Sequence, residues 1–199
     1  MVRCCRMSYH HGRLREELLA AAASTVAAKG SADLNLRQLA REIGVSHAAP
    51  RHHFGDKRGV LTALAAEGYR LLTAQVADAS DFLEAGVAYV QFAIEHPGHF
   101  PVMFRPGLVD ENDPDLVAAS EALRATLIAG AATLPRGSGS GAGHSWRDEL
   151  PPMALAAWSA AHGFATLAIN DNFAVDDEAR RGESLTALAR ETLRLLGGP

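Results

Sequence analysis

The chain has 199 residues, 48% of them hydrophobic and 21% charged, with a formal net charge of −4 at pH 7, enough for one large domain or two small ones. No apolar run in the sequence approaches the ~18 residues of a membrane span, and no apolar stretch with a small-residue cleavage site opens the chain, which argues against secretion. The only cysteines, Cys4 and Cys5, are adjacent and form no disulfide framework, so the reading is a reduced, cytoplasmic protein.

Residues 1–10 lack apolar periodicity and read as a flexible tail, in which Met7 offers an alternative start to Met1. Leu14, Leu18, Ala22 and Val26 recur every four residues and predict a helix from Gly12 to Lys29, closed by Gly30. Asn35 is a good N-cap for a short helix carrying Leu36, Leu39, Ala40 and Ile43 and ending at Gly44. Ser46 caps the next helix, Pro50 falls near its first turn, and Gly55 stops it after Phe54. Asp56 then caps a longer helix to about Val76, with Leu61, Leu64, Ala65, Gly68, Leu71 and Leu72 as its buried stripe.

Asp81 caps a further helix that runs to about Glu95. Helical turns fenced by Pro97, Pro101 and Pro106 follow, and Asp113-Pro114 starts a helix to about Thr133. Residues 135–145 have the composition of a flexible loop. Two long helices, about 149–170 and 176–196, close the chain. No alternating strand pattern of useful length appears. The expected fold is all-α, about nine helices, with an N-terminal three-helix domain and a C-terminal helical domain.

The net charge conceals an asymmetry. Residues 1–60 hold ten Lys/Arg against five Asp/Glu, a balance of +5; residues 61–199 hold nine against eighteen, a balance of −9. Such a split fits a polyanion-facing piece joined to a solubilising one. Two short helices joined by Gly44-Val45-Ser46, the second one basic, form a helix-turn-helix pattern. Gly44 permits a positive φ, Val45 fills the angle between the helices, and Ala40 keeps the first helix slim. The second helix presents His47, Ala48, Arg51 and His52 outward and is of a size to enter the major groove of B-DNA.

The stretch LNLRQLAREIGVSHAAPRHHFGDKRGVLTAL resembles the N-terminal DNA-binding domain of the tetracycline-repressor (TetR) family, and residues 11–29 resemble that family's first helix. The resemblance spans roughly 55 residues. It implies that Asn35 caps the second helix and touches phosphate, that His53 and Lys57 hold the DNA backbone, and that His47 enters the groove. Arg51 departs from the pattern, standing where the family commonly has a phosphate-contacting tyrosine. It can clamp phosphate with a full charge or grip guanine through O6 and N7. Arg37, Gln38, Ser46, Ala48 and His52 complete the expected DNA face; Phe54 is assigned to the core and Arg58 to solvent.

A second, shorter resemblance lies in Trp158-Ser-Ala-Ala-His162-Gly163 and in EHPGHFPVMF, which look like the Trp-x-x-x-His-Gly signature and a Pro- and Met-Phe-containing segment of a TetR C-terminal subgroup. It implies an effector-binding, dimerising domain. Trp158 and His162 share a helix face, which Leu155, Ala165 and Ile169 extend. With Phe92, Phe100, Met103 and Phe104 they make an expected apolar pocket with one polar anchor, and Tyr69 is placed to transmit a change. Domain limits of 11–57 and 58–199 follow. The expected partners are a palindromic double-stranded DNA operator, a small, largely apolar effector, and a second copy docked through the last two helices. Leu185, Leu188, Ala189, Thr192, Leu195 and Leu196 would supply one stripe of that interface, and Ala157, Ala161 and Phe164 another. Half-sites would then lie about 34–36 Å apart.

No nucleophile elbow, zinc-protease helix or phosphate loop is present, so no catalytic residue and no cofactor is assigned. Two other readings stay open. Metal sensing could use Cys4, Cys5, His10 and His11, or His96, His99 and His162 converging on an ion. A helical adaptor without DNA binding is the other.

Overall fold

A computed structural model describes residues 6–133, 152–174 and 181–195, with side chains from residue 13 onward. Among the described residues there are nine α-helices and no strand. The chain divides into two compact units, one of residues 1–68 and 96–118, the other of residues 69–95 and 119–199. The expected domain limit at residue 57 therefore falls inside the first unit. The loop expected at 135–145 lies outside the described residues.

The first unit begins with α1 (Arg6–Lys29), which starts six residues before the expected Gly12. Leu18, Ala22 and Val26 are buried, as their spacing requires. Gly30, at φ 83°, ends the helix, and its N–H bonds the Val26 carbonyl at 2.8 Å. α2 (Leu36–Glu42) opens on Asn35, whose Oδ1 accepts from the N–H groups of Arg37 at 2.9 Å and Gln38 at 3.3 Å. Leu39 and Ala40 are buried beneath it. Gly44, at φ 73°, turns the chain, and the Val45 N–H returns to the Ala40 carbonyl at 2.9 Å, the long-range bond of a Schellman-type ending.

α3 (Ala49–Phe54) is shorter than the sequence suggested. Ser46 stands in the turn before it: its hydroxyl accepts from the Ala48 N–H at 3.3 Å and its carbonyl from the Ala49 N–H at 2.9 Å. Gly55, at φ 75°, closes the helix with an N–H bond to the Arg51 carbonyl. Asp56 Oδ1 then accepts from the Gly59 N–H at 2.9 Å at the head of α4 (Lys57–Ala77). Val60, Leu61, Leu64 and Ala65 of α4 are buried with Leu18 and Leu39, each large aliphatic side chain contributing about 1.5–3 kcal/mol. Leu71, expected in the buried stripe, is 40% exposed, because the helix turns that position outward once Leu72 is buried.

The segment from His96 to Ala118 also belongs to this unit. It contains α6 (Phe100–Met103) and a turn of 3-10 helix at Pro106–Leu108. Three features bind it in place. Gly98 lies so close to the Ala23 carbonyl that a Cβ there would collide with it. Gly68 makes room for Met103, whose Sδ would be 2.6 Å from an added Cβ. Arg58, expected in solvent, donates through Nε and Nη2 to the Val109 carbonyl at 2.9 and 2.6 Å, while Asp110 N–H donates to the Thr62 hydroxyl at 2.9 Å.

The second unit is built on α5 (Phe82–Glu95), capped by Asp81 through the Glu84 N–H at 2.9 Å. Apolar nearly all round, α5 packs against both α8 (Pro152–Ile169) and α9 (Arg181–Arg194), as such a helix must. Ala154, Ala161, Phe164, Ala165, Leu185 and Ala189 are buried in these contacts. Ala161 and Phe164 are therefore core rather than a second partner-facing stripe. α7 (Pro114–Ala131) begins with Asp113 Oδ1 accepting from the Leu116 N–H at 3.0 Å. Its Leu127, Ile128 and Ala131 pack with Phe82, Ala154 and Trp158. Arg190 joins α9 to α5 by two 2.8 Å bonds to Glu84. By length and composition α8, with a mean hydropathy of 1.2 over 18 residues, could cross a membrane, contrary to the first estimate of the sequence; here it packs on α5 and α9.

Candidate nucleic-acid interface

The face built by α3 and the turn before it follows from where the helix is anchored. Pro50 is fully buried, and Ala49, His53 and Phe54 are half-buried. Phe54 thus takes part in the core only in part, with the Arg15 guanidinium carbon 5.2 Å from its ring centre. The helical period leaves His47, Ala48, Arg51 and His52 on the opposite side, and all four are exposed. Asn35 and Arg37 of the neighbouring helix are exposed as well. Gln38 is half-buried and donates to Glu42 Oε1 at 3.0 Å.

The two cations that follow α3 are tied to the protein. Lys57 is half-buried, and its Nζ donates to the Ala32 carbonyl at 2.6 Å; Arg58 holds Val109. His53 turns its ring edge to His52 at a centroid distance of 5.5 Å. The ten residues expected to face DNA thus separate into an outward set and a set engaged with neighbouring backbone or side chains. Asn35 caps α2, whereas Ser46, expected to cap α3, closes the turn before it, and the N-cap position of α3 is Ala48 with no side-chain bond.

The seven residues expected around an effector fall into both units. Phe100 and Met103 are buried in the first, and Phe104 packs its ring 5.1 Å from Phe100. Phe92 is fully buried in the second unit, where Tyr69 is half-buried and burial pushes its hydroxyl up to about 12. Trp158 and His162, one turn apart on α8, meet at Tyr89 of α5: Trp158 Nε1 lies 3.3 Å and His162 Nδ1 2.8 Å from the Tyr89 hydroxyl oxygen. Burial raises the Tyr89 hydroxyl and lowers His162 from its ordinary value, so both are neutral. The indole can only donate, so Trp158 Nε1–H donates to the tyrosine oxygen, which shares its second hydrogen bond with His162 Nδ1. Leu155, expected to extend this face, is 44% exposed.

Residues 18–64 match the family described as bacterial regulatory proteins of the tetR family. Residues 82–192, more than half of the chain, match the tetracyclin repressor-like C-terminal domain. The chain belongs to the TetR family. Among solved structures it is similar over its length to a protein of unknown function from Rhodococcus sp. RHA1, with 35% identity, 96% of this chain and 100% of that one covered, and a TM-score of 0.66. The putative regulatory protein SCO4313 shares the fold at 21% identity, with 100% of both chains covered and a TM-score of 0.74. FadR from Bacillus subtilis, solved in complex with stearoyl-CoA, shares it at 14% identity, covering 92% of this chain and 97% of that one, with a TM-score of 0.59. No match was found among curated proteins.

In this TetR-family regulator the first family match contains the whole of α2 and α3 and their turn, so the exposed cluster around Arg51 sits on the helix-turn-helix itself. The second contains Tyr89, Trp158 and His162. Sequence reasoning assigned no role to Tyr89, because its partners lie 69 and 73 positions away and no local spacing announces them. The one available signal was a hydroxyl set in the apolar run Val87–Ile94, which needs a partner if buried. His99, considered for an ion with His96 and His162, has its Nε2 3.0 Å from Glu67 Oε2 in the first unit, whereas His162 belongs to the second. Among the described residues no three His, Cys, Asp or Glu side chains gather as a metal site; Cys4 and Cys5 and the side chains of His10 and His11 lie outside them.

Proposed function

We propose that this regulator binds a palindromic DNA operator as a homodimer, most simply as a cytoplasmic repressor, and is released by a small, largely apolar effector; it performs no catalytic step. The observation that carries the reading is the exposed face of His47, Ala48, Arg51 and His52 on a helix whose other side is anchored by buried Pro50. Asn35, Arg37, Gln38, Ser46, His53 and Lys57 border that face. Lys57 would exchange its bond to Ala32 for a phosphate oxygen, next to the free N–H groups that open α4.

Dimerisation through α8 and α9 is supported by Leu155 and Leu167 of α8 and Leu188 of α9, which are 44%, 46% and 41% exposed. Aliphatic side chains so placed on adjacent helices favour a partner of the same kind. Of the expected effector residues, Tyr69, Phe92, Trp158 and His162 belong to the second unit, and Phe100, Met103 and Phe104 to the first. FadR from Bacillus subtilis, on the same fold, was solved with stearoyl-CoA, a ligand that carries one long apolar acyl chain. Footprinting of DNA flanking the gene, at two salt concentrations and with candidate apolar compounds, tests the reading. A protected palindrome whose affinity falls with salt, as phosphate neutralisation requires, and which one compound abolishes, is the expected result. Absence of any protected sequence would overturn it.

A further inference from the structure

We propose that Arg51 reads a guanine in each operator half-site, an inference that rests on the DNA-binding reading above and extends it to sequence choice. Three Lys/Arg side chains lie between Val45 and Arg58. Lys57 is bonded to the Ala32 carbonyl and Arg58 to the Val109 carbonyl. The Arg51 guanidinium is exposed and has no bonding partner among the described residues.

Its direction is fixed by what surrounds it. Buried Pro50 and the hydrogen-bonded turn at Ser46 set the rotation of α3 about its own axis. Arg51 follows Ala48 by three residues, close to one helical turn, and the two share the outward face. Ala48 offers only a methyl group there, so the helix can sink towards the base edges before any side chain obstructs it. A long side chain beside such a small one then reaches the groove floor rather than its rim. At the floor, guanine presents two acceptors, O6 and N7, in the spacing of the guanidinium fork; adenine places a donor where O6 would be. His47 and His52, exposed on either side of Arg51 in sequence, have shorter side chains suited to the groove walls.

The test is selection of bound duplexes from a randomised pool by the full chain, repeated with Arg51→Ala and Arg51→Lys. The wild type is expected to enrich one invariant guanine in each half-site. Replacing that base by 7-deazaguanine, which lacks the N7 acceptor but keeps O6, should weaken binding roughly two- to tenfold, for loss of one of the two bonds of a bidentate base contact. Arg51→Ala should lose the preference at that position alone, and Arg51→Lys, which keeps the charge without the fork, should lose most of it. Helix content of each variant by circular dichroism confirms folding. Uniform weakening on all sequences, with 7-deazaguanine tolerated, would overturn the inference and make Arg51 a phosphate clamp. If the wild type enriches nothing, DNA binding itself fails and base reading with it.

Discussion

On α3 and the turn before it, His47, Arg51 and His52 stand in solvent; between α5 and α8, Tyr89, Trp158 and His162 close on one another. Both places concentrate polar and aromatic groups, and they do opposite things with them. In the second unit the Trp158 indole N–H, the Tyr89 hydroxyl and His162 Nδ1 are bonded to one another, which is the condition for burying polar groups at all. On the recognition face the Arg51 guanidinium has no bonding partner among the described residues. A group left hydrated in the free protein keeps its interaction energy for a partner, whereas a bonded buried group has already committed that energy to the fold.

That contrast can be broken at several points. The largest effect is expected at the apolar floor of the second unit: Phe92 is fully buried, and Phe92→Ala should cost about 3–5 kcal/mol in urea unfolding. Tyr89→Phe leaves the Trp158 indole and His162 Nδ1 without the hydroxyl they share, and about 1–3 kcal/mol should be lost with little change in operator affinity. A large loss of affinity with unchanged stability would put the cluster on the functional side of the comparison.

The same cluster predicts a pH dependence. Burial holds His162 below its ordinary value of 6.5, so around and below that pH the unfolded chain binds more protons there than the folded one. Stability is then intact above about pH 6.5 and declines as pH falls further. Urea midpoints of wild type and His162→Gln should diverge above that point and converge below it.

On the first unit the expected changes shrink. Asn35→Ala removes an N-cap with two backbone bonds and should cost about 1 kcal/mol in the same unfolding assay. Arg51→Ala should leave stability within about 0.5 kcal/mol of wild type while changing DNA binding, the sharpest form of the contrast. A loss of 2 kcal/mol or more there would mean that Arg51 supports the fold.

Local signals were easy to read. The ends of α2, the close of α3 at Gly55, the positive φ at Gly44 and Gly55, the caps at Asn35, Asp56, Asp81 and Asp113, and the outward face around Arg51 all follow from residues within one or two turns of each other. Burial at helix edges was harder. Leu71 and Leu155 belong to apolar patterns and yet are 40% and 44% exposed, because a stripe tells which residues share a face and leaves its width to the neighbouring helix. Arg58 is exposed, as expected, and also holds Val109, 51 positions on.

By itself, then, the sequence determined an all-helical chain, a basic helix-turn-helix near its start and an acidic remainder, since propensity, capping and periodicity act over a few residues. Only the tertiary structure decided that residues 96–118 join the first unit, that Lys57 and Arg58 are occupied while Arg51 is not, and that Tyr89 completes the pair on α8. These depend on which distant segments meet once apolar faces are buried, and a donor's choice of acceptor is made only when packing has removed water as the alternative.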